Sequence, residues 1–177
     1  MDPTQETDPT ALLSAAYTKY AGQIYRHCCF RTFNQEDAEE LVQETFMRAW
    51  EYLTSGRKID SLKLFLYRIA NNLIIDEARK KKAKLPDLSL DRLMEEGFDI
   101  GHVRVDPIQR RSDMVKVLGA LKKLKKGYYE LLIMRYIDGI KPADIAIIMG
   151  ISPNTVSVRL HRGIRHLTLS LKSTQVS

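Results

Sequence analysis

The segment that most restricts the fold of this chain lies near its C-terminus, where residues 139–162 show the pattern of a helix-turn-helix. Ala146 is small where two helices must approach closely, and Gly150 stands where the first helix must end in left-handed backbone. Ser152, followed by a proline, is placed to cap the second helix, whose apolar plug is Val156. Such a motif places one helix in a DNA major groove, so the pattern predicts a partner as well as a fold. A helical hairpin that does not bind DNA is the alternative.

The second helix of this motif has two chemically different sides. At 3.6 residues per turn, its apolar stripe consists of Val156, Leu160, Ile164, Leu167 and Leu171. The opposite side carries Asn154, Thr155, Val158, His161, Arg162 and Arg165. Arginine can pair with guanine, asparagine can pair with adenine, and an outward valine can touch a thymine methyl. Contact with bases and contact with phosphates both stay open for His161 and Arg162, because many protein–DNA contacts only position the protein.

Composition restricts the class of protein further. The 177 residues suffice for one ordinary domain or two small ones. The formal net charge of +6 favours a polyanionic partner, although charge alone does not separate nucleic acid from an acidic protein. No apolar run approaches the roughly 18 residues that a membrane span needs, and the polar, acidic N-terminus is unlike a secretory signal. We therefore expect a cytoplasmic protein without direct membrane insertion.

The cysteines offer little chemistry. Cys28 and Cys29 are neighbours whose side chains would point apart on a helix, so no ordinary disulfide is expected. His27 beside them is expected on the helix surface, and no second group of potential ligands accompanies it. The sequence therefore predicts neither a metal site nor a cofactor.

Nearly every periodic segment of the chain is helical, which predicts an all-α fold. Three N-terminal helices, at about 11–30, 37–53 and 61–82, could share one small core. Four more are predicted at about 112–125, 127–138, 142–149 and 153–171. Proline, glycine and acidic residues punctuate the stretch between the two groups, apart from one possible short helix after Ser89. We therefore predict two small helical domains, residues 10–83 and 111–171, joined by a flexible linker over residues 84–110.

Helical periodicity also assigns inner and outer faces to the N-terminal helices. The apolar stripe of the first helix consists of Leu13, Tyr17, Tyr20, Ile24 and Tyr25. The second helix would bury Leu41, Val42, Thr45, Phe46, Ala49, Trp50 and Leu53. The third would bury Leu62, Phe65, Leu66, Ile69 and Leu73. Its outward residues would be Leu64, Tyr67, Arg68, Asn71, Ile75 and Arg79, with Asn72 at the edge.

Three ordered motifs carry a family resemblance. Residues 37–50, read DAEELVQETFMRAW, resemble the core-binding helix of bacterial RNA polymerase sigma factors. Residues 65–76, read FLYRIANNLIID, resemble the next conserved helix of that family. Together with the linker and the helix-turn-helix, they make the chain similar to the short, two-domain extracytoplasmic-function group over about residues 15–82 and 112–168. The resemblance implies a dissociable, non-enzymatic subunit that confers promoter specificity on RNA polymerase.

The resemblance implies that the 37–53 helix docks on the clamp helices of the largest polymerase subunit. The residues expected to make this contact are Asp37, Glu40, Gln43, Glu44, Met47 and Arg48. An exposed methionine within a polar stripe is typical of an interface. A solvated amphipathic face is the alternative for each charged residue.

The resemblance also implies that the third helix and the loop before it, residues 53–60, capture the opened −10 strand. The expected contacts are Tyr67, Arg68, Asn71, Asn72, Arg79 and Lys80. Tyr67 would stack on a base, the cations would follow the backbone, and Asn72 would read a flipped base. Ordinary packing of Tyr67 and a solvated helix end at residues 79–82 are the alternatives.

The helix-turn-helix would read the −35 element through Asn154, Thr155, Ser157, Val158, Arg159, His161, Arg162 and Arg165. Ser157 and Val158 depart from the residues common in the family, so the promoter sequence is not transferable. Lys141 replaces the usual hydroxyl cap of the preceding helix, with Asp144 as partial compensation. Gly163 inside the recognition helix costs roughly 1 kcal/mol relative to alanine.

The expected partners are core RNA polymerase, through its clamp helices and flap, promoter DNA, and an anti-sigma factor, and no small-molecule substrate is expected. By analogy the regulon would answer a stress or an envelope signal. A stand-alone, dimeric helix-turn-helix regulator is the alternative, and it would bind a two-fold symmetric duplex without polymerase. An enzyme is disfavoured, because no phosphate loop, paired metal ligands or nucleophile–base arrangement is visible in the sequence.

Overall fold

The computed structural model describes residues 8–84, 117, 119–121 and 123–174. Within them, every regular element is a helix, as predicted. The chain divides into two compact units, Met1–Pro86 and Asp87–Ser177. The predicted linker, its short helix after Ser89 and most of the predicted 112–125 helix lie outside the described residues.

The first unit is a bundle of three helices, α1 (Pro9–Thr32), α2 (Gln35–Thr54) and α3 (Leu62–Lys84). Each of the three packs against the other two. The core is formed by Ile24, Cys28, Phe30, Ala38, Leu41, Phe46, Ala49, Leu66, Ala70 and Leu73. Three of these are alanines, and such small side chains let helix axes approach closely.

Local capping sets the boundary between α1 and α2. Phe33 ends α1 in left-handed backbone, with φ 55°, and its N–H donates to the Cys29 carbonyl. Asn34 begins α2, because its Oδ1 accepts from the Asp37 backbone N–H at 3.0 Å. The two residues between these helices force them into an antiparallel hairpin, which explains why α1 and α2 share the largest interface of the unit.

Two residues that the periodicity places in the core of the first unit are exposed instead. Trp50, expected in the core, is 38% exposed. It follows Phe46 by four residues, which turns it about 40° further around α2 and past the edge that α1 covers. Tyr17, also expected inward, is exposed and packs only the edge of its ring against Phe46, with the ring centroids 4.9 Å apart.

His27, expected on the surface, is buried, and its ring meets Tyr67 of α3 edge-on with centroids 5.2 Å apart. Cys28 and Cys29 are buried, and neither forms a disulfide. Burial raises the pKa of the Cys29 thiol, although its hydrogen bond with Tyr25 opposes the rise. Burial, followed by that same hydrogen bond, raises the pKa of Tyr25 to about 12. Both groups therefore stay neutral near pH 7, and the thiol is a packing group rather than a nucleophile.

The second unit contains α4 (Lys126–Leu132), a π-helical segment (Ile133–Ile137), α5 (Pro142–Met149) and α6 (Pro153–Thr174), preceded by helical residues near Leu121. Its core is formed by Leu131, Leu132, Ile133, Met134, Ile140, Ile145, Ile148, Val156 and Leu160. The helix predicted at 127–138 is present but is not uniformly α-helical. The Asp138 N–H donates to the Ile133 carbonyl, five residues back, at 3.0 Å.

The helix-turn-helix has the predicted local structure. Gly150 ends α5 with φ 64° and ψ 35°, and its N–H donates to the Ala146 carbonyl. Ser152 caps α6, because its Oγ accepts from the Thr155 N–H at 3.1 Å. Val156 is fully buried. Lys141 begins α5 without a side-chain cap, because an ammonium group cannot accept a hydrogen bond from a backbone N–H.

The apolar stripe predicted for α6 is wrong at one position. Ile164 is 40% exposed, and the neighbouring Gly163 is buried instead. A Cβ atom at Gly163 would lie 3.2 Å from Leu132 Cδ1 and 3.3 Å from Tyr128 Cβ, both on α4. The glycine therefore lets α4 and α6 approach more closely than a large side chain would allow. This packing gain accounts for a residue that otherwise weakens the recognition helix.

Candidate nucleic-acid interface

The outer face of α2 presents most of the residues predicted to bind polymerase. Glu40, Gln43 and Arg48 are exposed, and Met47 is 59% exposed. Glu44 is partly exposed and accepts from Arg48 Nε at 2.7 Å. Asp37 departs from this group, because it is half-buried and its carboxylate contacts the Lys81 ammonium of α3. Asp37 is therefore less exposed than predicted, and its contact with polymerase stays a prediction.

An apolar groove adjoins this outer face, and the sequence did not predict it. The groove measures about 440 Å³ and is lined by Leu13, Tyr17, Gln43, Phe46, Met47, Trp50 and Glu51. It exists because Tyr17 and Trp50 lie at the rim of the α1–α2 interface rather than inside it. Tyr17, Met47 and Trp50 are all exposed along it, so three large apolar side chains meet solvent close together. The sequence did contain a signal for the groove, because α2 carries more large apolar side chains than a single narrow stripe of a helix can bury.

The exposed face of α3 contains four of the six residues predicted for −10 recognition, namely Arg68, Asn72, Arg79 and Lys80. Arg79 lies 3.7 Å from Asp76 and Lys80 lies 3.9 Å from Glu77, both within one turn of the same helix. Exposed pairs at such distances contribute little stability. Both cations can therefore turn toward a phosphate at small cost.

The other two residues, Tyr67 and Asn71, are not on the surface. Tyr67 is fully buried and Asn71 is 2% exposed. Asn71 Oδ1 accepts from Arg31 Nη1 of α1 at 3.2 Å. The expectation that both face outward is wrong, because α3 packs against α1 and α2 at once and its buried arc is wider than one stripe. Base stacking by Tyr67 is incompatible with this position.

The neighbours Asn71 and Asn72 give a matched test of this assignment. Asn71→Ala should lower the free energy of unfolding of the first unit by about 1–2 kcal/mol, because it removes the acceptor of the part-buried Arg31 guanidinium. Asn72→Ala should change it by less than about 0.5 kcal/mol, since an exposed side chain is lost. Urea unfolding followed by the fluorescence of Trp50, the single tryptophan of the chain, measures both values. Equal losses would contradict the burial of Asn71.

The exposed side of α6 forms a cationic face. It presents Asn154, Ser157, Val158, Arg159, His161, Arg162 and Arg165, all exposed. Thr155 is half-buried, and its hydroxyl lies 2.8 Å from Ser152 Oγ within the cap. The sequence contains no acidic residue after Asp144, so nothing in α6 offsets its arginines. A helix surface with several arginines and no carboxylate is suited to a polyanion.

Arg159 differs from the other arginines of this face. A Cβ atom at Gly127, in the first turn of α4, would lie 3.8 Å from Arg159 Nη1. The guanidinium group therefore lies over α4 rather than along the outer edge of α6.

The described residues show two further properties that bear on function. None of their helices is both long and apolar enough to cross a membrane. No three histidine, cysteine, aspartate or glutamate side chains among them lie together as a metal site would require.

Residues 16–84 match the family described as Sigma-70 region 2, and residues 114–167 match Sigma-70, region 4. The chain is 32% identical over 162 residues to the ECF RNA polymerase sigma factor SigW of Bacillus subtilis, covering 86% of this chain and 85% of that protein. It is 29% identical over 168 residues to the ECF sigma factor SigL of Mycobacterium tuberculosis, covering 94% of this chain and 93% of that protein.

Two solved structures are similar to this chain over most of its length. The sigma factor RpoE of Bartonella quintana, solved with the anti-sigma factor NepR, matches with a TM-score of 0.69 and 26% identity. The match covers 90% of this chain and 96% of that one. CnrH, solved with the cytosolic domain of CnrY, shares the fold with a TM-score of 0.68 at 19% identity, covering 94% and 91% of the two chains.

Proposed function

The chain belongs to the family of extracytoplasmic-function RNA polymerase sigma factors, and from this premise we propose a role for each exposed helix face. Proteins of this family are non-enzymatic factors that direct promoter-specific initiation of transcription. The observation that carries the assignment of roles is that the three faces differ in chemistry. The α2 face is mixed acidic and apolar, the end of α3 is basic, and α6 is basic without any acid.

The α2 face binds core polymerase, at the clamp helices of the largest subunit. Glu40, Gln43, Glu44, Met47 and Arg48 form its polar part. The α1–α2 groove adds Tyr17 and Trp50, which the sequence interpretation had placed in the core. A polar rim around an apolar centre is the usual composition of a protein–protein interface.

The α3 face binds the opened −10 strand. Arg68, Arg79 and Lys80 supply positive charge along the strand, and Asn72 supplies a donor and an acceptor for a base edge. The α6 face binds the −35 duplex, with exposed His161, Arg162 and Arg165 available for base edges or phosphates.

Three further assignments follow from family membership. The domain limits are 10–83 and 111–171 with a linker over 84–110, and the second domain also contacts the polymerase flap. An anti-sigma factor holds the protein inactive, by analogy with the RpoE–NepR complex. The protein acts in the cytoplasm, where polymerase and promoter DNA are found, and serves a stress or envelope-signal regulon.

Transcription with purified components tests the function. Core polymerase freed of other sigma factors is mixed with the chain and with fragmented genomic DNA of the source organism, and transcript 5′ ends are mapped. We expect ends that depend on the chain and share two upstream elements at constant spacing. If the chain fails to bind core polymerase but alone shifts a two-fold symmetric duplex, the dimeric-regulator alternative replaces the sigma function.

A further inference from the structure

The ion pair between Asp37 and Lys81 joins two surfaces with different proposed partners. Asp37 lies in the first turn of α2, where its backbone N–H is held by Asn34 at 3.0 Å. Lys81 lies near the end of α3, 44 positions further along the chain. Both side chains are partly shielded, with 21% of Asp37 and 39% of Lys81 exposed. Asp37 also lies in the first turn of α2, a position where an acidic side chain is favourable next to the helix N-terminus.

The fully buried side chains of α3 stop before its last turns, among the residues that the structure describes. Among the described side chains of α3, Ile74 is the last that is buried. The following described residues, up to Lys81, are half-buried or exposed. Arg79 pairs with Asp76 and Lys80 pairs with Glu77, both on the same helix. Contacts within one helix do not fix its direction. The Asp37–Lys81 pair adds a contact between the last turns of α3 and α2, beyond the buried side chains that end at Ile74.

We propose that Asp37 and Lys81 are positioning residues that fix the basic end of α3 relative to polymerase-bound α2, so that Arg79 and Lys80 meet the opened strand. This role presupposes the sigma function proposed above. Lys81 then acts through Arg79 and Lys80 rather than by touching DNA. Asp37 acts through Lys81 rather than by touching polymerase.

A different role for the same residues predicts the opposite sign. If Lys81 instead bound a phosphate directly, Asp37 would compete with the DNA for it. Asp37→Asn would then raise promoter affinity, whereas loss of a positioning pair lowers it. The two roles are therefore separable by one neutral substitution.

The experiment uses the full chain assembled with core polymerase. The variants are Asp37→Asn, Lys81→Met and the exchanged pair Asp37→Lys with Lys81→Asp. Lys19→Met is the matched control, because it removes one exposed cation from α1 of the same unit. Two quantities are measured for each, namely affinity for core polymerase and the fraction of promoter opened. Trp50 fluorescence on heating shows whether each variant is folded at the assay temperature.

We expect Asp37→Asn and Lys81→Met each to lower promoter opening roughly fivefold, as for a partly buried, charge-assisted hydrogen bond, with core affinity unchanged. The exchanged pair should recover part of that loss, since each charge then sits unfavourably on its helix dipole. Lys19→Met should match wild type. Three outcomes overturn the positioning role: higher opening for Asp37→Asn, no recovery in a folded exchanged pair, or a stability loss without any loss of opening. Failure of the wild-type chain to bind core polymerase would instead reject the sigma function itself.

Discussion

Replacement of Gly163 with leucine should lower the free energy of unfolding of the second unit by about 3 kcal/mol, as expected for overpacking between two helices. Even the first added carbon would lie 3.2 Å from Leu132 Cδ1 and 3.3 Å from Tyr128 Cβ. The Tyr128 Cβ is attached directly to the α4 backbone, so it cannot swing aside. The helix must move, and the close α4–α6 packing that orients the recognition helix is lost. Promoter binding should fall with it.

Two further substitutions separate packing from helix propensity. Gly163→Ala should be nearly neutral, because a helix-propensity gain of about 1 kcal/mol offsets a contact that is a few tenths of an ångström too short. Gly22, in the middle of α1, has no atom within 4 Å of a would-be Cβ. Gly22→Leu should therefore stabilise the first unit by up to about 1 kcal/mol.

Urea unfolding measures these effects. Circular dichroism follows the helices of both units, and Trp50 fluorescence follows the first unit. A Gly163→Leu protein as stable as wild type would show that α4 and α6 do not pack at the distance described. Destabilisation by Gly22→Leu would show that leucine is unfavourable in these helices for a reason other than packing.

The triple variant Gln43→Ala, Glu44→Ala, Met47→Ala should weaken binding to core polymerase by about a hundredfold. Truncating central interface residues typically costs about 2 kcal/mol or more in total, and about 2.7 kcal/mol corresponds to a hundredfold. All three side chains lie on the outer side of α2, so folding should be unaffected. Loss of Glu44 also removes the carboxylate that pairs with Arg48. Arg48 would then meet the polymerase as an unpaired positive charge.

The matched control changes three α1 side chains on the side away from the groove, as Thr18→Ala, Lys19→Ala and Gln23→Ala. Competition against a labelled sigma factor for core polymerase measures the affinities, after circular dichroism shows equal helical content. The control should bind like wild type. If the α2 triple variant also binds like wild type, the dock lies elsewhere, and Tyr17 and Trp50 in the groove are the next residues to change.

Some of this structure follows from short stretches of sequence, because its causes are local. Gly150 needs only its own backbone freedom to end α5, and Ser152 caps α6 through an N–H three residues away. The helix-turn-helix was therefore predictable residue by residue. The helix positions were predictable for the same reason, and observed ends such as Pro9–Thr32 differ from the predicted 11–30 by only two residues.

What could not be predicted depends on how many neighbours a helix has and at what angle they cross. Tyr67 and Asn71 are buried because α3 lies against two helices, whereas periodicity describes one stripe. Gly163 rather than Ile164 faces α4, and that choice is set by the crossing angle of the two helices. Asp37 was predicted to contact polymerase, but it pairs with Lys81. Local periodicity does not predict this pair, because its two residues are 44 positions apart in the sequence.

The π-helical segment Ile133–Ile137 affects how residue roles are transferred between this chain and its relatives. A π turn holds one residue more than an α turn, and each residue of an α-helix advances by 100°. An ungapped alignment across this segment to a relative with a uniform α-helix would therefore rotate one flank by about a quarter turn relative to the other. Core positions would be matched to surface positions, although the alignment would look continuous. Residues of the recognition helix can be aligned without this error by numbering them from Gly150, which lies after the π-helical segment and is identified by its left-handed backbone.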